Sequence, residues 1–172
     1  MYLVDTPVVS ELRKARTGKA DPGVVTWAGG VPRQNLYLSA LSLLELEGGV
    51  AQAERRDKSQ GEALRRWLDD QVIPAFDGRI LAVDAAVVKK RAALPFGDGK
   101  GDRTGGGRDA VVAATALAYG LTVVTRHVSN FRFGRVKVFS PWGYTPDAEA
   151  GADWQEVAGT GSVWLKNLFL RF

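Results

Sequence analysis

The sequence has no cysteine among its 172 residues, and its only histidine is His127. Disulfides, thiolate zinc sites and a cysteine nucleophile are therefore excluded. A Ser/His/Asp triad would depend on that single imidazole, and the sequence has no G-x-S-x-G nucleophile elbow to accompany it. These absences leave the carboxylates as the main candidates for a chemical site.

Long apolar runs are also missing. Only four residues, Met1 to Val4, precede the first acid, which is too few for the core of a signal peptide. No stretch reaches the roughly 18 apolar residues that a membrane-spanning helix needs. We therefore expect a cytoplasmic protein that does not use a membrane.

The composition is that of a folded domain, with 45% hydrophobic and 24% charged residues. A chain of this length can bury a substantial core within one domain. The net charge of +4 and the pI near 9.5 would help to hold a polyanion or an acidic partner. A mild basic excess of this kind does not by itself identify either partner.

The order of apolar runs and turn signals predicts an α/β fold. Met1 to Val4 is typical of a buried strand that ends at Asp5, and Thr6-Pro7 indicates the turn into a helix. Further strands are predicted over Asn35 to Leu38, Ile80 to Val83, Leu121 to Thr125 and Val136 to Phe139. Because helices separate most of these strands, we expect a mostly parallel central sheet of about four or five strands flanked by helices.

Capping residues and helical spacing predict the helices. Ser39 is a candidate cap for a helix through Val50, and Asp84 for a helix through about Leu94. The polar stretch from Glu54 to Gln60 predicts a turn between helices. The remaining predictions are an amphipathic helix built on Leu64, Trp67, Leu68 and Val72 and closed by Pro74, and a small-residue helix from Asp109 to Ala118 stopped by Gly120.

Three acids, Asp5, Glu45 and Asp109, fall where these elements would bring them to one place. Asp5 follows the first strand at the carboxyl edge of the sheet, where open α/β sheets bind ligands. Asp109 lies in the first turn of its helix, where simple capping explains it equally well. Glu45 and Glu47 point in different directions, so only one of them can face the cleft. The pattern outlines a metal site.

Residues 95–107 are rich in glycine and allow two interpretations. The first is a loop without a core of its own. The second is a phosphate cradle, but the order G-x-x-x-x-G-K-[ST] is absent and Lys100 is followed by glycine. The loop is the preferred interpretation.

Four segments in order carry a family resemblance: MYLVDTPVVSELRK, YLSALSLLELEGGV, RDAVVAATALAYGLTVVTRHVSNF and SPW. From Met1 to about Trp142 they resemble the PIN-domain ribonucleases, specifically the VapC-type toxins of type II toxin-antitoxin systems. The resemblance implies a three-layer PIN-like α/β fold. It also implies that the family's acids fall on Asp5, Glu45 and Asp109.

The sequence departs from the family pattern at several positions. Pro7 and His127 stand where asparagine is usual, and Glu47 does not fit the family spacing. Asn130 stands where a fourth acid is common. Its amide can orient a water or a ligand but adds no negative charge, so a cation would be held less strongly.

The resemblance implies a Mg²⁺- or Mn²⁺-dependent endoribonuclease toxin. These cations prefer oxygen ligands and keep several waters, so Asp5 and Asp109 are expected to coordinate the ion directly and Glu45 through water. A metal-bound water would then attack a phosphodiester bond of RNA. Supporting roles are expected for Thr6, Ser39, Thr125 and Asn130, and weaker RNA contacts for Arg108 and Arg126.

The same resemblance implies a cognate VapB-like antitoxin that neutralises the toxin, a toxin homodimer and a higher toxin-antitoxin assembly. Operator DNA would be reached only through the antitoxin. A non-enzymatic alternative is a catalytically weak PIN-like module that binds RNA or an antitoxin without cleaving, which Asn130 and His127 favour. A phosphatase of the DxD type is disfavoured because no aspartate lies two residues after Asp5.

The sequence divides into a nuclease domain over residues 1–142 and a C-terminal extension over residues 143–172. The extension begins acidic and glycine-rich and ends SVWLKNLFLRF. An amphipathic helix docked on the protein's own surface is the preferred interpretation. A partner-binding segment, a membrane-surface segment and a non-native extension are the alternatives.

Overall fold

The structure, a computed structural model, describes residues 1–94, 107–131 and 135–146. Its strands are β1 (Tyr2–Val4), β2 (Leu36–Ser39), β3 (Ile80–Leu81), β4 (Thr122–Val124) and β5 (Lys137–Phe139). Its helices are α1 (Thr6–Arg13), α2 (Pro22–Gly30), α3 (Ala40–Arg56), α4 (Lys58–Trp67), α5 (Ile73–Ala75), α6 (Ala85–Ala93) and α7 (Arg108–Tyr119). A π-helical turn, Leu68–Val72, joins α4 to α5, and short 3-10 turns cover Lys14–Thr17, Arg33–Asn35 and Val128–Phe131.

The strands form one five-stranded sheet in the order β3-β2-β1-β4-β5, and every pairing is parallel. The predicted α/β fold with a parallel central sheet is therefore confirmed. The chain builds outward from β1 to β2 and β3, and then crosses to β4 on the other side of β1. The carboxyl ends of β1 and β4 thus form the switch point at which such sheets bind ligands.

Helices cover both faces of the sheet. Successive strand residues point to opposite faces, so Val4 packs with α1, α2 and α3, whereas Leu3 packs with α6 and α7. Both side chains are fully buried or nearly so, at 2% and 0% exposed. The sheet and the helices on its two faces thus form three layers. The two apolar clusters between these layers hold the sheet edge that carries Asp5 in a fixed position.

The predicted end of the third helix was wrong. α3 continues past Val50 to Arg56, and the predicted turn over Glu54 to Gln60 shrinks to Asp57, whose side chain accepts a 3.0 Å hydrogen bond from Gln60 N–H. A Cβ atom on Gly61 would lie only 2.4 Å from Glu54 Cα. Because glycine has no Cβ, α4 can fold back against α3 after a single residue.

Several other boundaries shift by one to three residues. Strand β2 begins at Leu36 and includes Ser39, and β3 ends at Leu81 and not at Val83. Pro74 lies inside α5, so it does not close the helix. The predicted caps are confirmed: Ser39 Oγ accepts from Ser42 N–H at 2.9 Å, and Asp84 Oδ1 accepts from Val87 N–H at 3.0 Å.

The chain after β5 turns at Pro141 and packs against α2. Tyr144 N–H donates to Pro141 O at 3.1 Å, and Gly143 adopts a positive φ of 73°. A Cβ on Gly23 would meet Tyr144 N at 2.5 Å and Pro141 O at 2.6 Å, so α2 and this turn are in direct backbone contact. Most of the predicted extension over residues 143–172, namely residue 147 onward, and most of the glycine-rich segment lie outside the described residues.

None of the helices in the described ranges is long and apolar enough to cross a membrane.

Candidate active site

Asp5 lies at the switch point, between the end of β1 and the start of α1. Its backbone N–H donates to Val124 O at 3.0 Å, which extends the pairing of β1 with β4 by one residue. Its Oδ1 caps α1 by accepting from Thr6 N–H at 2.9 Å, and its Oδ2 accepts from the Thr125 hydroxyl at 2.7 Å. Asp5 is only 6% exposed, so two neutral donors hold a carboxylate that is almost removed from water.

Glu45 reaches the same edge from the second turn of α3. Its Oε2 accepts from the Thr6 hydroxyl at 2.5 Å, so Thr6 touches Asp5 through its backbone and Glu45 through its side chain. The other oxygen, Oε1, lies 3.4 Å from Arg108 Nη1 at the start of α7. This ion pair is largely exposed, with 65% of the Arg108 side chain accessible, so it is a weak contact.

Asp109 enters from the first turn of α7. No side chain caps this helix, because its N-cap is Gly107. Asp109 Oδ2 accepts a 2.9 Å hydrogen bond from the Asn130 amide in the 3-10 turn after β4. Asn130 thus fixes one carboxylate oxygen of Asp109 without adding a charge.

The electrostatics of the site centre on Asp5. Burial raises the pKa of Asp5, and the negative charges of Glu45 and Asp109 raise it further, against the hydrogen bonds from Thr125 and Thr6 that lower it. Both neighbouring acids therefore lie close enough for their charges to act on Asp5. Without a counter-ion this set of carboxylates is unfavourable.

The donor atoms at this site are of the type that a divalent cation prefers, although the protein does not supply a complete set of ligands. In the described ranges, no three acid or histidine side chains are close enough to hold a metal ion by themselves. All the candidate donors are oxygens, which suits Mg²⁺ and Mn²⁺, and these ions commonly bind through one or two carboxylates and fill the remaining positions with water or phosphate. The buried, poorly compensated Asp5 is the group that such a cation would relieve.

The other residues expected at the site have separate positions. Ser39 is fully buried at the end of β2, where its hydroxyl caps α3 and pairs with the Ser42 hydroxyl. Arg126 is exposed and lies over the Trp142 ring, with its guanidinium carbon 5.6 Å from the ring centroid. Glu47 points away from the site and pairs with Arg65 at 2.7 Å.

Sequence reasoning did not predict that Trp142 contacts Arg126 near this edge, because the SPW segment was considered only as part of the family resemblance. The signal that could have found it is the placement of an aromatic residue just after a strand that ends beside Thr125. Thr125 N–H donates to Phe139 O at 3.0 Å, which brings β5 and the turn after it to the active-site edge.

Comparison with known proteins gives the family of this chain. The profile of the PIN domain family matches residues 2–136, which is most of the chain. The chain belongs to the PIN-domain family. Membership of this family agrees with the parallel sheet, and the resemblance to VapC-type toxins is confirmed by the relatives below.

Two named relatives match this chain over nearly their whole length. The VapC ribonuclease Y4jK of Sinorhizobium fredii is 34% identical over 83% of this chain and 98% of its own. Toxin FitB of Neisseria gonorrhoeae is 33% identical over 83% of this chain and 99% of its own. The crystal structure of FitAcB from Neisseria gonorrhoeae superposes with a TM-score of 0.68 at 33% identity, covering 83% of this chain and 99% of the other.

Proposed function

We propose that this chain is a divalent-cation-dependent endoribonuclease toxin that hydrolyses phosphodiester bonds in RNA. The observation that supports it is that Asp5, Glu45 and Asp109 approach the sheet switch point from three separate elements, close enough for the charges of Glu45 and Asp109 to raise the pKa of Asp5. The names of the relatives agree, since one is a VapC ribonuclease and another a toxin. A basic chain with a net charge of +4 suits a polyanionic substrate.

Asp5 and Asp109 are the proposed direct ligands of Mg²⁺ or Mn²⁺, and Glu45 is proposed to act through water. When bound, the cation makes its water more acidic and neutralises charge on the phosphorus oxygens. The protein's part is to hold the three carboxylates in position before the ion arrives. Asp5, being buried and close to two other acids, is the ligand whose charge most needs that ion.

Three neutral side chains are proposed to orient these acids. Thr125 fixes Asp5 Oδ2 and Thr6 fixes Glu45 Oε2, while Asn130 fixes Asp109 Oδ2. Each carboxylate oxygen has more than one lone pair, so the acids keep acceptor capacity for a cation or a water. Outer hydrogen bonds of this kind orient metal ligands, and their loss typically weakens binding or activity by roughly 10- to 100-fold.

Arg108 and Arg126 are the proposed contacts to RNA phosphates. Both are exposed at the rim of the site, next to Asp109 and to Thr125 in sequence. Among the described residues, the one side-chain partner of the Arg108 guanidinium is Glu45, and because that contact is weak the guanidinium can turn to a phosphate oxygen at little cost.

Control of the activity is proposed to follow that of the relatives. A solved structure with a TM-score of 0.69 at 31% identity is described as FitAB bound to an IR36 DNA fragment. We propose a cognate VapB-like antitoxin, a toxin homodimer and a higher assembly in which the antitoxin alone contacts operator DNA. The protein would act in the cytoplasm through its domain over residues 1–142, with residues 143–172 as an extension.

Asn130 favours one alternative, a PIN-like module that binds RNA or an antitoxin but cleaves poorly. A nuclease assay on single-stranded RNA, run in EDTA and then with Mg²⁺ or Mn²⁺ restored, separates the two. The proposed enzyme gives internal cuts that stop in EDTA and return with the ion. Binding of the same RNA without cation-dependent cuts would favour the module.

A further inference from the structure

We infer that Trp142 and Arg126 form a stacking site for an unpaired nucleobase of the substrate, beside the three acids. The inference rests on the proposed ribonuclease function and adds to it the way in which single-stranded RNA is held. The observations that carry it are the position of Trp142, the rigidity of its turn and the contact between the two side chains.

The position follows from the sheet. β5 pairs with β4 in parallel, and Thr125 N–H donates to Phe139 O at 3.0 Å. Thr125 also binds Asp5, so a single strand, β4, lies between the end of β5 and the buried acid. Trp142 follows three residues after Phe139, and Arg126 directly follows Thr125. Both side chains therefore lie at the rim of the acid site.

The turn that carries Trp142 is well fixed. Pro141 is buried, Tyr144 N–H donates back to Pro141 O at 3.1 Å, and Gly143 has a φ of 73° that disfavours other residues. The backbone of the turn lies directly on Gly23 of α2. Trp142 itself is half-buried against the apolar core, so one part of the indole is anchored and the rest is accessible.

Arg126 shows that one face of this indole accepts a flat, positively charged group. Its guanidinium carbon lies 5.6 Å from the ring centroid. In the described part of the chain no carboxylate pairs with Arg126. A nucleobase has the same flat shape, and stacking on aromatic side chains is a common way to hold single-stranded RNA. We expect the base to replace the guanidinium on the indole, which frees Arg126 to pair with a phosphate.

A second pair in the same protein supplies a matched control. Arg13 lies over the Trp67 ring at 5.7 Å, at the far end of α1 from Asp5. Eight helical residues separate that end from the acid by about 12 Å along the axis. Arg13→Gln thus removes one charge and one guanidinium-indole contact without touching the proposed stacking site.

The test measures binding of the full chain to a labelled single-stranded RNA in EDTA by fluorescence anisotropy, so that cleavage does not interfere. Trp142→Leu should weaken binding about fivefold or more, and Trp142→Phe should retain most of it. Arg126→Gln should lower the slope of log affinity against log salt by about 0.7, whereas Trp142→Leu should leave that slope unchanged. Arg13→Gln should leave the affinity for RNA close to wild type.

RNAs with a single abasic position, moved along the strand, provide the decisive comparison. At one position the loss caused by Trp142→Leu should disappear, because the base that stacks is already absent. The stacking site would be overturned if Trp142→Leu lowered the affinity equally for every abasic RNA. It would also be overturned if Trp142→Leu, shown by circular dichroism to be folded, bound intact RNA as tightly as wild type. Should Trp142→Leu fail to fold, an unchanged salt slope and affinity for Arg126→Gln would overturn it.

The outcomes also separate this inference from the proposed enzyme. Cation-dependent cuts by the wild type without any effect of Trp142 keep the ribonuclease and reject the stacking site. Trp142-dependent binding without cuts keeps the stacking site and rejects the ribonuclease.

Discussion

The Thr125 hydroxyl donates a 2.7 Å hydrogen bond to Asp5 Oδ2 across 120 positions of sequence. Thr125 is fully buried, and its oxygen also accepts from His127 N–H at 3.0 Å. One hydroxyl therefore links the end of β1 to the loop after β4. This relationship makes the position of the buried acid depend on the strand beside it.

Replacement of that hydroxyl gives the first prediction. Thr125→Val keeps the shape of the side chain but leaves one Asp5 oxygen and the His127 N–H without their partner. We expect the free energy of unfolding to fall by about 1–3 kcal/mol, and the rate of cation-dependent RNA cleavage to fall by roughly 10- to 100-fold. Chemical denaturation and a cleavage assay measure the two effects.

Thr115→Val is the matched control for this change. Thr115 is also buried, but its hydroxyl donates to Val111 O within α7 and does not reach an acid. It should retain cleavage close to wild type. Equal loss of activity in both variants would show that the effect comes from general destabilisation and not from Asp5.

The two glutamates of α3 give the second prediction. Glu45 contacts Thr6 and Arg108 at the site, whereas Glu47 pairs with Arg65 on another face of the helix. Glu45→Gln should lower cleavage by roughly 10-fold or more, and Glu47→Gln should leave it close to wild type. Both rates are measured on the same single-stranded RNA, and loss in the Glu47 variant alone would reverse the assignment.

The acids near Asp5 predict a pH dependence of stability. Burial and two negative neighbours raise the pKa of Asp5 above its unfolded value, so the folded protein binds more protons than the unfolded chain between those two pKa values. In EDTA, the contribution of Asp5 to the free energy of unfolding should therefore fall as pH rises through that window. Urea unfolding of wild type and Asp5→Asn at several pH values measures it, and the variant should lack this fall.

Glu11 provides the opposite case for comparison. Burial acts to raise its pKa, but hydrogen bonds from Lys14 Nζ at 2.8 Å and Asp21 N–H at 3.0 Å, with the charge of Lys14, lower it overall. Its contribution to stability should be present above the unfolded pKa and be lost as pH falls through the folded one. Glu11→Gln should thus lower the free energy of unfolding near neutral pH and change it little in acid.

For Asp5→Asn, a dependence of stability on pH like that of wild type would contradict the raised pKa of Asp5.

Asn130, the neutral residue where the family commonly has a fourth acid, gives another prediction. Asn130 donates to Asp109 Oδ2, so Asn130→Asp replaces a donor with a second negative charge at that distance. In EDTA the variant should unfold more easily than wild type, because two carboxylates now repel. With Mn²⁺ it should bind the ion more tightly, which isothermal titration calorimetry measures. Asn35→Asp is the control, because Asn35 precedes the amino end of β2, at the sheet edge opposite the acids. Equal effects in both variants would reject the placement of Asn130 beside the cation.

The sequence was sufficient to predict the parallel sheet and the elements that carry the acids. Buried strands such as Leu121 to Thr125 are short apolar runs next to clear caps and glycine stops, and those signals are local. The end of α3 could not be predicted in this way. The tight return after Arg56 depends on Gly61 contacting Glu54, and such an approach between two helices leaves no local signal.

Within the site, the positions of the acids were predictable and their contacts were not. Family spacing chose Glu45 over Glu47, but the bonds from Thr6 to Glu45 and from Asn130 to Asp109 depend on how side chains from distant segments meet. Trp142 was overlooked for the same reason. The contact between Trp142 and Arg126 depends on β5 lying beside β4, and no local pattern of residues encodes the order of strands in the sheet.

The most direct test is cleavage of single-stranded RNA by Asp5→Asn, measured beside wild type with Mg²⁺ or Mn²⁺ and in EDTA. The variant keeps the size of the side chain and an oxygen that can still accept from Thr6 N–H, so circular dichroism should show a folded protein. Its cation-dependent cleavage should fall by more than about 100-fold, since loss of an outer partner alone costs up to that amount. Cleavage at the wild-type rate by the folded variant, or wild-type cleavage that persists in EDTA, would contradict a metal site built on Asp5.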